Sequence, residues 1–424
     1  MKILRLIKAA IIPLWGLIFL LTTGCCKPKQ MNYEPVRNTG INVGVLLSLT
    51  GSGSSSGESS QAALQLARTD IQNWFSTLHI PLGLTLFVED TRTDTAMALQ
   101  KLKTLYSQGI RWVIGPYSSA ELAHIKPFAD QHGILVISPS SVAVSLAIPG
   151  DNVFRFVTSD RIQGEAMTAL LTNDTIRQLI PMVRDDVWGN DLLQATASDF
   201  TAQGGSVSDP VKFNVTGNDL AEAVTRLDNA VGEALEGYAP SEVGVYMLSF
   251  SEGTQILKAA QGKENLKKVR WYGGSAFAQN STVLTDTAAS GFASSHGLPC
   301  PVYGLDESAR YIWEPLRARI TGMIGHPPDV YALTAYDALW VVVRTALALG
   351  PDIKIERMKQ FFIDEADHYY GASGNTRLDV AGDRAEGNYD FWALNPFPGG
   401  VEWKRIAWYN SATGTLVRLP QVLK

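Results

Sequence analysis

The sequence predicts an α/β protein built from two doubly wound lobes. Two observations carry this. Short apolar runs of strand length alternate with segments of helical spacing, the signature of parallel βα units. The series also restarts near residue 160, as a second lobe would require. Trp112–Ser141 shows the unit most clearly. Trp112–Ile114 and Ile134–Ile137 read as buried strands, each ending in a hydroxyl-rich turn: Gly115-Pro116-Tyr117-Ser118-Ser119, then Ser138-Pro139-Ser140-Ser141. Between them Ala120–Gln131 places Leu122, Ile125, Phe128 and Ala129 on one helical face. Ligands of parallel α/β sheets bind outside the carboxyl ends of the strands, where the next helix presents free N–H groups. Two adjacent hydroxyl loops there make a polar cradle without a strong base or metal ligand, which favours binding over catalysis.

Along the chain, Ile41–Leu49 is a first buried strand, opening onto the Gly/Ser run Thr50–Gly57 and a helix from about Ser59 to Phe75. Leu84–Glu89 is the second strand; Asp94 can cap the helix carrying Ala96, Leu99, Leu102 and Leu105. Val153–Val157 leads to a boundary after Ser159-Asp160. The second series has helices Gln163–Leu171, Leu192–Gln203, Leu220–Leu235 and Gly253–Gln261. They alternate with strands Leu179–Val183, Val211–Phe213, Gly244–Met247 and Arg270–Tyr272. Asp329–Leu349 reads as a long core helix, too mixed with Asp, Thr and Arg for a membrane span. Final strands fall in Thr376–Leu394, and Trp403–Tyr409 with Thr415–Leu419 form a hairpin.

The 424 residues are 46% hydrophobic and 18% charged with net charge -5, ordinary globular values with room for two or more domains. Basic residues are scattered, so nucleic acid is not an expected partner. Lys2, Arg5 and Lys8 precede the apolar run Ala9–Leu21, which is short for a bilayer span, and Leu21-Thr22-Thr23-Gly24-Cys25 follows. This resembles a bacterial lipobox, so residues 1–24 are read as a lipoprotein signal peptide, Cys25 as the lipidated residue and 25–40 as a tether. Cys25, Cys26 and Cys300 are the only cysteines. A Cys26–Cys300 disulfide is possible, but a free packed Cys300 is the favoured reading. The six histidines show no metal-ligand spacing, and neither a metal nor a cofactor is expected.

Several segments together resemble the branched-chain amino-acid (Leu/Ile/Val)-binding family of type I periplasmic binding proteins: Val43–Leu66, Gly115–Ser119, Gly133–Ser138, Asn152–Gln163, Asp185–Gly189, Tyr336–Trp340 and Gly382–Trp392. The similarity runs through nearly all of Ile41–Leu394. It implies two lobes joined by a three-crossover hinge, a ligand in the cleft, closure on binding and an ABC importer as partner. The lobes would be 41–159 plus about 297–375, and 160–296 plus about 376–394, with 395–424 a C-terminal extension. By the same resemblance Ser119 falls where a serine binds the ligand carboxylate, and Ser140 and Ser141 match the second carboxylate loop. Val142 stands where many members have Thr. Trp188 sits where an aromatic residue covers the ligand, and Ser249 and Phe250 match another ligand loop. Ser275 falls where amino-acid binders often carry an acid for the α-ammonium. Tyr117 and Phe277 complete the expected ligand-facing set. Asp185 or Asp186 offers a replacement acid.

These readings converge on an exported, lipid-anchored solute-binding protein, facing the periplasm from a bacterial membrane. It would take an amino acid or a carboxylic or aromatic acid, deliver it to an ABC permease and catalyse nothing. One alternative is a regulatory lipoprotein of the same fold that binds a protein partner. Another rests on Gly53-x-Ser55-x-Gly57, a literal nucleophile-elbow pattern between a strand and a helix, and would make the chain a serine hydrolase. A Gly/Ser-rich turn produces that pattern readily.

Overall fold

The first sheet is assembled from βα units in which each strand is covered by helices on both faces. In this computed structural model, residues 40–216, 218–350 and 354–420 are described; the signal segment, Cys25, Cys26 and tether residues 25–39 lie outside them. The chain begins β1 (Ile41–Leu47), α1 (Ser54–Thr77), β2 (Leu84–Asp90), α2 (Thr95–Ser107), β3 (Trp112–Ile114), α3 (Ser119–His132), β4 (Leu135–Ser138) and β5 (Val153–Arg155). The strands are parallel in the order β2-β1-β3-β4-β5. Leu46, Val113 and Val136 meet α2 and α3 on one face, whereas Val43, Val45, Ile114 and Ile137 share a core with helix residues from α1 and from 335–366 on the other. Burial on both faces is why these strands read as continuous apolar runs. Asp94 caps α2 as expected, accepting from Met97 N at 2.7 Å.

The second series is α4 (Asp160–Asn173), β6 (Gln178–Arg184), α5 (Val187–Ala202), β7 (Ser206–Val207), β8 (Val211–Phe213), α6 (Leu220–Ala234), β9 (Val243–Leu248), α7 (Gly253–Ala260) and β10 (Arg270–Gly273). Its parallel sheet runs β10-β9-β6, with β7 and β8 both against β6. Then follow α8 (Thr282–Thr285), α9 (Thr287–His296), β11 (Cys300–Tyr303), α10 (Arg310–Ile324), α11 (Val330–Leu349), α12 (Ile355–His368), the short pair β12 (Tyr370–Gly371) and β13 (Gly374–Asn375), and β14 (Tyr389–Phe397), β15 (Gly400–Asn410) and β16 (Thr415–Arg418). The antiparallel set β11-β14-β15-β16 prolongs the second sheet, joined where Gly273 N donates to Pro299 O at 3.0 Å. The mixed architecture with two parallel sheets is the expected type I periplasmic binding protein fold. α11 is apolar enough to span a membrane, but it packs in the first lobe's core, with Val341, Val342 and Val343 fully buried.

Several expected boundaries move. Cys300–Tyr303 pairs with β14, and Asp383 bridges to Arg155 at the edge of the first sheet. That edge is locked by a buried ion pair between Arg155 and Asp383, while Arg155 NH1 donates to Ala143 O at 2.7 Å. α1 begins at Ser54 rather than Ser59, and α5 at Val187 rather than Leu192. Ser55 and Gly57 therefore lie inside a helix, not on a sharp elbow. A Cβ on Gly57 would come within 2.0 Å of Ser48 O, so this glycine serves close packing of α1 on β1. Cys300 is a free, fully buried thiol, its pKa raised by burial.

Candidate functional site

The first half of the cleft is the pair of loops after β3 and β4. Gly115 holds φ +105, and a Cβ there would lie 2.0 Å from Leu46 O, so glycine is what lets the turn come close over β1. Ser118 caps α3 in a reciprocal box: its Oγ accepts from Glu121 N at 3.2 Å, and Glu121 Oε2 accepts from Ser118 N at 3.0 Å. Burial raises the Glu121 pKa. Ser119 opens the helix. Its Oγ accepts from Val142 N and Ala143 N, each at 3.2 Å, and lies 2.9 Å from Ser141 Oγ. A hydroxyl has two lone pairs and one proton. With both lone pairs occupied, Ser119 is the donor to Ser141, and its hydroxyl is fully committed. Ser140 Oγ donates to Tyr117 O at 2.9 Å, and Ser138 Oγ to Pro116 O at 2.8 Å. The hydroxyls thus stitch the two loops into one wall.

The opposite half comes from strand ends of the second sheet. Asp186 caps α5 through Gly189 N at 2.9 Å, which sets Trp188 in the helix's first turn. Phe250 follows β9, and Ser275 follows β10. Trp188 and Phe250 have ring centroids 5.2 Å apart, Phe250 and Tyr117 5.5 Å, and Tyr117 and Tyr331 6.2 Å. This aromatic row crosses the cleft, with Tyr331 supplied by the first turn of α11. The Arg184 guanidinium lies 4.4 Å from the Phe250 ring centre and is paired with Glu252 and, at 2.6 Å, with Asp186. Burial raises the pKa of Glu252 and of Tyr117.

Tyr117, Ser119, Ser140, Trp188, Phe250 and Ser275 line one pocket, together with Tyr331 and Val142. The free space left among them is only about 10 Å³, roughly one water at most. Ser141 sits behind Ser119. Ser249 is fully buried beneath the wall, its Oγ without a hydrogen-bond partner, and Phe277 is likewise fully buried, packed against Trp403 at 6.1 Å. These three expected residues stand outside the pocket lining. Neither acid considered for an ammonium is free: Asp185 pairs with Lys212 at 3.0 Å on the surface, and Asp186 is held by its cap and Arg184.

Direct bonds between the halves hold the cleft shut. Ser55 Oγ lies 3.0 Å from Ser281 Oγ, Ser251 N donates to Ser52 O at 3.2 Å, and Val330 N donates to Gln279 Oε1 at 3.1 Å. Ser55 Oγ is thus engaged with the hydroxyl and the N–H of Ser281. Sequence reasoning did not single out Tyr331, Arg184 or Gln279. Tyr331 had a signal: an aromatic residue two positions after Asp329, which caps α11 by accepting from Ala332 N at 3.2 Å.

Against known proteins, a family model described as periplasmic binding protein matches residues 40–391. An uncharacterized protein of Methanocaldococcus jannaschii is 27% identical over 429 aligned residues, covering 95% of this chain and 98% of its own. The leucine-binding protein LivK of Thermotoga maritima superposes with TM-score 0.71 at 17% identity, covering 89% of this chain and 99% of that one. An ABC-transporter solute-binding protein of R. palustris, solved with benzoate, superposes with TM-score 0.69 at 18% identity, covering 86% and 96%.

Proposed function

The chain belongs to the periplasmic binding protein family, and on that premise we propose that it is of the type I, Leu/Ile/Val-binding branch, captures a small organic acid between its lobes and presents it to an ABC permease. The family is one of exported solute-binding proteins rather than enzymes. One observation carries the reading. Hydroxyl loops at the carboxyl ends of β3 and β4 face Trp188, Phe250 and Ser275 from the second sheet across a single pocket. A carboxylate suits the N-terminal end of α3, whose first N–H groups have no intrahelical acceptor. The aromatic row suits a flat or branched apolar body. Cys25 is proposed as the lipid anchor that keeps the protein at the membrane. Relatives of this fold include a leucine-binding protein and one solved with benzoate, which sets the range of acids to try.

The test is calorimetry of the full-length protein with benzoate, leucine, isoleucine and valine, beside an unbiased search for co-purifying small molecules. Saturable binding of any of these supports the reading; no binding and no co-purifying ligand overturns it. Intact-mass measurement of the membrane-extracted protein reports on the anchor, and an unmodified Cys25 removes that part. A second reading, a regulatory protein that binds a protein partner, is favoured by one observation: the cleft is filled by its own rings, and its hydroxyls satisfy one another. A cleft that takes no small molecule, in a protein that captures one defined partner protein, would establish it.

A further inference from the structure

The C-terminal hairpin begins at Gly400, beyond residue 391 where the family match ends. Yet it touches the binding cleft's own supports. Trp403 Nε1 donates to Asn280 O at 2.8 Å, and its ring meets Phe277 edge-on at 6.1 Å. Asn280 and Phe277 belong to the loop after β10, which also carries Ser275 of the pocket lining. In that loop Gln279 has φ +60, a backbone state that a residue with a Cβ adopts only when neighbours hold it. Gln279 and Ser281 then reach across the cleft, to Val330 N at 3.1 Å and to Ser55 Oγ, which accepts from Ser281 N at 3.0 Å. Two residues along β15, and so on the same strand face, Arg405 NH1 donates to Glu307 Oε1 at 2.6 Å and Arg405 Nε lies 2.7 Å from Asp390 Oδ1. Glu307 follows β11, and Asp390 lies in β14, after Asp383 at the edge of the first sheet, so both stand just past the chain's two later passages between the sheets.

We infer that β15 is a strut between hinge and cleft, with Trp403 a positioning residue that holds the Gly274–Ser281 loop in the conformation able to close on the first lobe. The inference rests on the binding-protein reading above, but its primary readout does not need a ligand. Ser55→Cys with Ser281→Cys places two thiols where the hydroxyls now meet, so an oxidant traps the closed form as a disulfide. The rate is followed by mass spectrometry of the cross-linked peptides in the full-length protein. Trp403→Phe keeps a ring against Phe277 and loses the N–H. Trapping should slow by about two- to tenfold, the worth of one ordinary hydrogen bond. Arg405→Lys, which keeps the charge beside Asp390 but loses the two-pronged geometry, should slow trapping in the same direction. Trp408→Phe, the same change on the same strand away from the loop, should leave the rate as it is.

Benzoate and leucine titrations of Trp403→Phe separate the two claims. If neither acid binds even the wild type while Trp403→Phe still slows trapping, the proposed function fails and the strut stands. If an acid binds, its affinity should fall by the same factor as the trapping rate. Wild-type trapping in Trp403→Phe overturns the strut. Equal slowing in Trp408→Phe overturns it too, because the effect would then be general loosening of the sheet.

Discussion

At the scale of single residues, Ser119 does more than a ligand-facing hydroxyl would. It accepts two backbone N–H groups from the neighbouring loop, so Ser119→Ala leaves Val142 N and Ala143 N buried without an acceptor. That loss should lower stability by about 1–3 kcal/mol, read from urea unfolding. Affinity for an acid ligand should fall alongside, because the wall that receives the carboxylate loosens. An unfolding midpoint at the wild-type value would mean that these amides find other acceptors. Ser275 argues for the ligand's other end. Among the pocket-lining residues no carboxylate is present to meet an ammonium, and burying an uncompensated charge is costly. A deaminated analogue of leucine, and benzoate, should therefore bind at least as tightly as leucine in parallel titrations. Tight valine binding with no affinity for deaminated acids would sink this expectation.

At the scale of elements, α11 links the cleft to a pH dependence. Asp329 caps the helix, and burial pushes its carboxyl up to about 6 from 3.8. The folded protein thus keeps a proton that the unfolded chain has already lost. Stability should fall as pH rises from about 4 to about 6 and level off above. Asp329→Asn keeps a good capping residue and removes the ionisation. Its unfolding midpoint should gain on the wild type's across that window, measured by chemical denaturation at stepped pH; parallel curves would refute the assignment. The elements also show where sequence reasoning held and where it stopped. Strands such as β1, β3 and β4 were legible because burial on both faces makes them unbroken apolar runs. The first turns of α1 and α5 were not, because Ser, Gly and Asp favour caps and turns as much as helices. In α12 the helical spacing Ile355, Met358, Phe362, Ala366 is diluted by many charges, and in α10 Pro315 interrupts the spacing of Trp313, Leu316 and Ile320. Of the pocket, the hydroxyl loops and Trp188 were readable as strand-end residues. Tyr331 reaches the cleft from a segment distant in sequence from the hydroxyl loops, and Gln279 carries no charge or ring to mark it apart from its loop neighbours.

At the scale of the whole molecule, the governing fact is the size of the closed cleft. About 10 Å³ cannot hold a benzoate or a leucine, so the proposed capture requires the lobes to part. Two sets of interactions then compete. The row Trp188, Phe250, Tyr117 and Tyr331, with the Ser55–Ser281 and Val330–Gln279 bonds, favours closure without ligand. A ligand must replace that packing with its own contacts to both halves, and it shifts the equilibrium only by the difference it makes between the two states. The bound form should therefore be closed but slightly wider than the empty closed form, with the rings moved apart by the ligand's thickness. In solution scattering the free protein should therefore match the closed structure, and saturating benzoate or leucine should raise its radius of gyration slightly, as the rings part to admit the ligand. A radius that falls on binding would show that the free protein rests open and that these bonds do not hold it shut. A curve that does not change at saturation would count against a ligand lodged between the rings, and would move the weight of argument to the protein-partner reading.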